Sequence, residues 1–251
     1  MGRFDSTVAF YERARPPYGD AFFAKVARSL GLDGGQRLLD LGAGPGLLAL
    51  GFAPFVGEVI GVDPEPAMIA AARAAADRAG VRLRLIEGKA ESLPANIGVF
   101  DIVTIGRALH WMEPEPTRAV LNGVVARNGR ILICRAASIA DGRNRWLPAY
   151  EAARSNWTEE PGDRYGRDPD VFFAGTRFCR VETITVESEQ KIPIERLIDR
   201  VLSLSASSPA RLGNEVRDMR AALRAALEPF ASDDLIGEVV EARAEVFGGG
   251  R

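Results

Sequence analysis

The sequence predicts an α/β fold, a doubly wound, mainly parallel sheet with helices on both faces, and two observations carry that reading. Between Arg37 and Ser138, short and strongly apolar runs alternate with helical patterns at the spacing of βα repeats. The first run leads into Gly42-Ala43-Gly44-Pro45-Gly46, a glycine-rich turn from strand to helix.

The predicted strands span 37–41, 58–62, 81–86, 100–105 and 130–134, each continuous enough in apolar residues to be buried on both faces. A helix is predicted over Pro66–Ala79, where Met68, Ile69 and Ala72 recur at helical spacing and Gly80 stands at the C-terminal cap. A second is predicted over 116–126, ended near Asn128-Gly129. Beyond Ser138 the alternation stops. Further strands are predicted over 181–186 and 239–247, and helices over 194–204 and 211–227, with 248–250 as a frayed tail.

At 251 residues, one domain over 1–251 is the simplest organisation, with residues 1–30 as an N-terminal capping segment and 139–176 and 192–230 as helical insertions. A content of 47% hydrophobic and 26% charged residues supports a sizeable core rather than disorder. Thirty-two basic against thirty-four acidic residues leave a charge of -2, which offers no attraction to nucleic acid or an anionic membrane. Oligomeric state is not encoded in any motif. Cys134 and Cys179 stand far apart with no Cys/His cluster, so neither a disulfide framework nor a metal site is expected, and a reducing compartment fits. The N-terminus has no signal-peptide core and no run reaches a membrane span, so a cytoplasmic location is expected. The opening Met1 to Ser6 fits the bare myristoylation pattern, which is short enough to match by chance.

The chemistry concentrates at the first strand-turn-helix. Glycines there let the backbone turn sharply and a ligand approach without a Cβ in the way, while the helix N-terminus presents free N–H groups. About twenty residues later Asp63 ends the second strand, where a carboxylate accepts hydrogen bonds from ribose hydroxyls. Asp40 lies at the end of the first strand. A carboxylate there repels a dinucleotide pyrophosphate but suits S-adenosylmethionine (SAM), which has no phosphate and carries an ammonium and a sulfonium.

These residues resemble class I SAM-dependent methyltransferases, in the methyltransferase type 11 group that includes ubiquinone/menaquinone and trans-aconitate methyltransferases. LLDLGAGPG resembles the first motif, GVDPEPAMI the ribose turn, EGKAESLP the adenine turn and FDIVTIGRALHW the strand facing the reaction centre. The resemblance covers residues 11–136 and implies a Rossmann-like sheet of seven strands, the last antiparallel, with the two helical insertions as a substrate-side cover. It implies SAM as cofactor and S-adenosylhomocysteine as product. Gly42, Gly44 and Gly46 then line the methionine and ribose, Asp63 holds the ribose diol, Pro64 and Met68 border the adenine, and Ala90 and Glu91 hold its edge. Asp40, Ala43, Arg107 and Ala108 complete the set. Lys89 departs from the acidic residue of many relatives, so the side-chain contact to the adenine amine is either lost or passed to Glu91. Tyr11, Arg15, Pro16 and Tyr18 resemble a segment that folds over the cofactor; an ordinary capping segment has the same pattern.

His110, the one histidine of the chain, follows the fourth strand. Two roles fit it: a general base for an oxygen or nitrogen acceptor, or a wall of the pocket together with Trp111. Arg143, Arg145, Arg154, Arg164 and Arg167 interleave with Trp146, Tyr150, Trp157 and Tyr165. They suit either a small, carboxylate-bearing acceptor or a solvated cover whose arginines pair with Glu151, Glu159, Glu160 and Asp163. The function implied is methyl transfer to a small molecule, with a non-catalytic SAM-binding or regulatory protein as the alternative and a nucleotide-dependent oxidoreductase as a further rival.

Overall fold

The computed structural model describes residues 8–158 and 168–249. The myristoylation pattern at Met1 to Ser6 and the expectations for Glu159, Glu160, Asp163, Arg164, Tyr165 and Arg167 lie outside the described residues. In chain order the elements are α1 (Val8–Ala14), α2 (Asp20–Leu30), β1 (Arg37–Leu41), α3 (Leu47–Phe52), β2 (Glu58–Asp63), α4 (Pro66–Ala79), β3 (Arg84–Glu87), β4 (Phe100–Gly106), α5 (Pro114–Val124), β5 (Val125–Ser138), α6 (Leu147–Ser155), α7 (Pro169–Phe173), β6 (Phe178–Pro193), α8 (Ile194–Leu202), α9 (Pro209–Leu212), α10 (Val216–Leu227) and β7 (Leu235–Gly249).

The strands form one seven-stranded sheet in the order β3-β2-β1-β4-β5-β7-β6. β1 pairs in parallel with β2 and β4, β2 with β3, and β4 with β5. β7 runs antiparallel to both neighbours. Its Gly248 lies against Arg130 of β5 while its Glu238 accepts from Ser138 at the far end of that strand. On the other side Gly248 accepts from Cys179 and Glu238 from Gln190 of β6. The chain crosses to opposite sides of β1 through β2 and β4, so the carboxyl ends of β1 and β4 flank a topological switch point, where open α/β sheets bind ligands.

The chain divides into two compact units: a sheet unit of Tyr18–Arg135, Asp163–Val186 and Arg243–Arg251, and a helical unit of Met1–Pro17, Ala136–Gly162 and Glu187–Ala242. The sheet unit buries Leu39, Leu41, Ile60, Phe100, Val103, Ile105 and Ile131. Phe23 packs edge-on against Phe52, with ring centroids 5.0 Å apart, which fastens α2 to α3. The helical unit has its own core, in which Trp146 and Tyr150 of the α6 region meet Leu197 and Ile198 of α8 and Met219 and Leu223 of α10.

Several boundaries differ from the sequence expectation for local reasons. The strand expected over 81–86 begins at Arg84, because the Val81 N–H bonds back to Ala76 and closes α4 through the left-handed Gly80. α5 starts at Pro114, whose missing N–H costs nothing in a first turn. The helix expected over 211–227 breaks at Gly213, where φ is +54°. β6 extends to Pro193 because an edge strand with mostly exposed side chains lacks a continuous apolar signal. Among the described residues no helix is long and apolar enough to cross a membrane.

Candidate cofactor site

The loop after β1 is tied to β2 by its backbone: Gly42 and Ala43 donate to the Val62 carbonyl at 2.9 and 3.0 Å. Its glycines do different work. A Cβ on Gly42 would lie 2.4 Å from the Ala108 Cβ, so this glycine lets the loop pack against the chain leaving β4. A Cβ on Gly44, at φ +54°, would meet nothing within 4 Å. Gly44 therefore borders open space, as a ligand cradle requires.

Two buried carboxylates serve this loop. Asp63 accepts from the Gly44 N–H at 2.8 Å with one oxygen and from the Glu65 N–H at 2.9 Å with the other. A carboxylate has about four lone-pair sites, so two remain for a diol. Burial pushes the Asp63 carboxyl up, against the lowering pull of those two amides. Asp40 is 1% exposed; it accepts from the Thr104 hydroxyl at 2.8 Å and the Ala49 N–H at 3.2 Å. Gly46 caps α3 without a side chain, so Asp40 supplies the acceptor for a first-turn amide of that helix. Burial drives its carboxyl up to about 7, against those two donors, and the neighbouring Asp63 adds to the rise. Among the described residues no lysine or arginine forms an ion pair with Asp40 or Asp63.

Beyond β4 the backbone is strained. Arg107 has φ +56°, rare for a long side chain; its N–H donates to the Cys134 carbonyl at 3.2 Å and its guanidinium lies 5.1 Å from the Tyr18 ring centroid. Strain of this kind is held in place only where packing over-determines it, and it gathers at functional sites. His110 follows in the turn Leu109–Trp111, half-buried, its ring 5.1 Å from that of Trp111.

The structure brings Gly42, Ala43, Gly44 and Gly46 together on one loop, with Asp40 of β1 and Asp63 of β2 beside it and Ala108 against it. Met68 and Ala90 are buried nearby in sequence order along α4 and after β3, and Pro64 is exposed. Glu91 accepts from the Glu113 N–H at 2.9 Å through its Oε1, at the start of α5. Tyr11 and Arg15 belong to the helical unit, where the Arg15 guanidinium stacks 4.8 Å over the Tyr11 ring and donates to the Ser203 carbonyl. Of the arginine-rich segment, Arg143 bonds Asp141 and Glu187, and Arg154 bonds Glu151. Trp146 and Tyr150 are core, donating to the carbonyls of Gly237 and Leu197. Sequence reasoning missed Thr104. Its signal was a single hydroxyl within the apolar run of β4.

A parallel sheet with a glycine loop and uncompensated acids at its switch point defines a cofactor-binding α/β protein. Comparisons with known proteins narrow the class. Residues 38–127 match the methyltransferase domain family. An uncharacterized methyltransferase of Mycobacterium tuberculosis is 30% identical over 225 residues, 86% of this chain and 82% of its own length. The fold is shared with the YcgJ protein of Bacillus subtilis, at TM-score 0.56 and 22% identity over 91% of this chain and 97% of that one. It is also shared with a SAM-dependent methyltransferase from Geobacter sulfurreducens bound to S-adenosylhomocysteine, at TM-score 0.59 and 15% identity over 100% and 99% of the two chains. The chain belongs to the class I SAM-dependent methyltransferases.

Proposed function

We propose that this enzyme transfers the methyl group of SAM to a small-molecule acceptor in the cytoplasm, with Gly42, Ala43, Gly44 and Gly46 as the cradle, Asp63 as the ribose acceptor and Asp40 as the carboxylate for the cofactor's positive end. The observation that carries the reading is the pair of buried acids beside the open space at Gly44, unpaired with any protein cation among the described residues. Burying an anion without a partner is costly, and a cationic ligand offsets that cost. SAM supplies an electrophilic methyl on a sulfonium, so the chain's task is to align acceptor and cofactor and, for an oxygen or nitrogen acceptor, to remove a proton. His110 is the candidate for that proton. Arg107 and Ala108, Pro64, Met68, Ala90 and Glu91 complete the proposed cofactor wall. Because Arg143 and Arg154 are already engaged with carboxylates, the acceptor is specified here only as a small molecule.

Calorimetry with S-adenosylhomocysteine and NAD, followed by turnover of SAM with panels of alcohols, amines, carboxylates and carbon acids, tests the proposal. The sulfur ligand is expected to bind, NAD is not, and Asp63→Ala is expected to weaken binding by about 1–3 kcal/mol. His110→Ala is expected to lower kcat about 100-fold with the ligand's Kd nearly unchanged. Tighter binding of NAD would overturn the cofactor reading, and near-normal turnover in the histidine variant would leave His110 as a wall.

A further inference from the structure

Thr104 sits in β4 as the register partner of Asp40 in β1, so both side chains stand on the same face of the sheet. It is fully buried between Val103 and Ile105, where a valine of the same shape would pack as well and favour the strand equally. A hydroxyl carries one proton to donate, and Thr104 gives it to Asp40 at 2.8 Å. Without that bond the Asp40 carboxylate would keep only the Ala49 amide, which holds one oxygen and leaves the other free to turn.

We propose that Thr104 is a positioning residue for the cofactor: its hydroxyl fixes the Asp40 carboxylate and keeps it charged for a cationic ligand lying over the glycine loop. The inference rests on the cofactor reading above. Its logic is electrostatic. Asp40 is buried beside Asp63 of β2, so its charged form is penalised twice, by desolvation and by a like charge. From β5 it is faced by Cys134, whose thiol burial holds well above its ordinary range and therefore neutral. Arg107, which follows β4, pulls the Cys134 thiol down and is not among the groups that shift Asp40. α3 brings a backbone amide but no ionisable side chain. The two donors, Thr104 first and Ala49 second, are what favour the ionised form, and only Thr104 is a side chain that selection could have replaced.

The test is calorimetric titration of SAM, which keeps the sulfonium charge, into wild type, Thr104→Val and Thr104→Ser between pH 6.5 and 8.5, with denaturant midpoints measured in parallel. Binding by wild type tests the cofactor reading itself; the variants test Thr104. Wild-type affinity is expected to strengthen as pH rises through about 7. Thr104→Val is expected to raise Kd about fivefold at pH 7, the effect there of roughly one unit of pKa, with the gap narrowing toward pH 8.5. Thr104→Ser, which keeps the donor, is expected to stay within about threefold of wild type. A Thr104→Val protein that loses stability while its Kd ratio to wild type stays near one, or is the same at every pH, would show a structural role and overturn the proposal. So would a serine variant that binds as poorly as the valine one.

Discussion

Glu238 in the helical unit and Asp40 in the sheet unit are each 1% exposed, yet one is paired and the other is not. Glu238 accepts from both arms of the Arg200 guanidinium, at 2.6 and 3.2 Å, and from Ser138 and Gln190. Burial alone would raise its carboxyl, but Arg200 and the two neutral donors outweigh burial and hold it below the ordinary value. Arg200 also donates to the Ala14 carbonyl, so the pair anchors α1 to α8 and β7. Asp40 has a hydroxyl and an amide but, among the described residues, no cation, and burial raises its carboxyl to about 7. A carboxylate that only holds the fold together is compensated within the protein. One left without a cation keeps its capacity for a charge that arrives from outside.

The contrast predicts opposite responses. The largest effect is expected from Arg200→Met, which strands Glu238 as a buried unpaired charge: a loss of about 3–5 kcal/mol in denaturant unfolding near neutral pH. If Met fits and the loss is under about 1 kcal/mol, Glu238 is reaching water and the comparison fails. Acid should also undo this pair. Its carboxyl is depressed in the folded state, so its contribution is present above the unfolded value of 4.5 and lost as pH falls through the lower folded value.

Asp40 should show the reverse sign. Its folded carboxyl lies at about 7 against 3.8 unfolded, so the stability tied to it is full below about 4 and declines as pH rises through 7. Unfolding curves of ligand-free wild type and Asp40→Asn from pH 4 to 8 are therefore expected to shift against wild type by on the order of 3–4 kcal/mol at most. A difference that is flat with pH would mean that Asp40 is ionised throughout and already compensated. The smallest effect is expected at Arg143, whose ion pairs with Asp141 and Glu187 lie on the exposed surface. Arg143→Ala should leave the denaturation midpoint unmoved, because solvent screens such pairs. A clear destabilisation there would show that the surface network of the helical unit carries stability, and would blur the distinction drawn from Glu238.

Much of the fold is written in short-range signals. α4 runs from Pro66 to Ala79 as read, because a proline suited to a first turn and a glycine able to take φ +65° bound it within a single stretch of chain. β1 and the start of β2 also lie where their apolar runs place them, and the glycine turn after β1 was legible because a turn between strand and helix constrains residue type locally. The occupations of the charged groups were not legible. Asp40 finds Thr104 across 64 residues of sequence, Glu238 finds Arg200 across 38, and Glu91 meets the Glu113 N–H across 22. Sequence alone determined which residues would make strands, helices and a glycine turn, since propensity and capping act over a few residues. Only tertiary packing decided which buried carboxylate meets a cation and which remains without one, because that depends on strand register and on side chains brought together from distant parts of the chain.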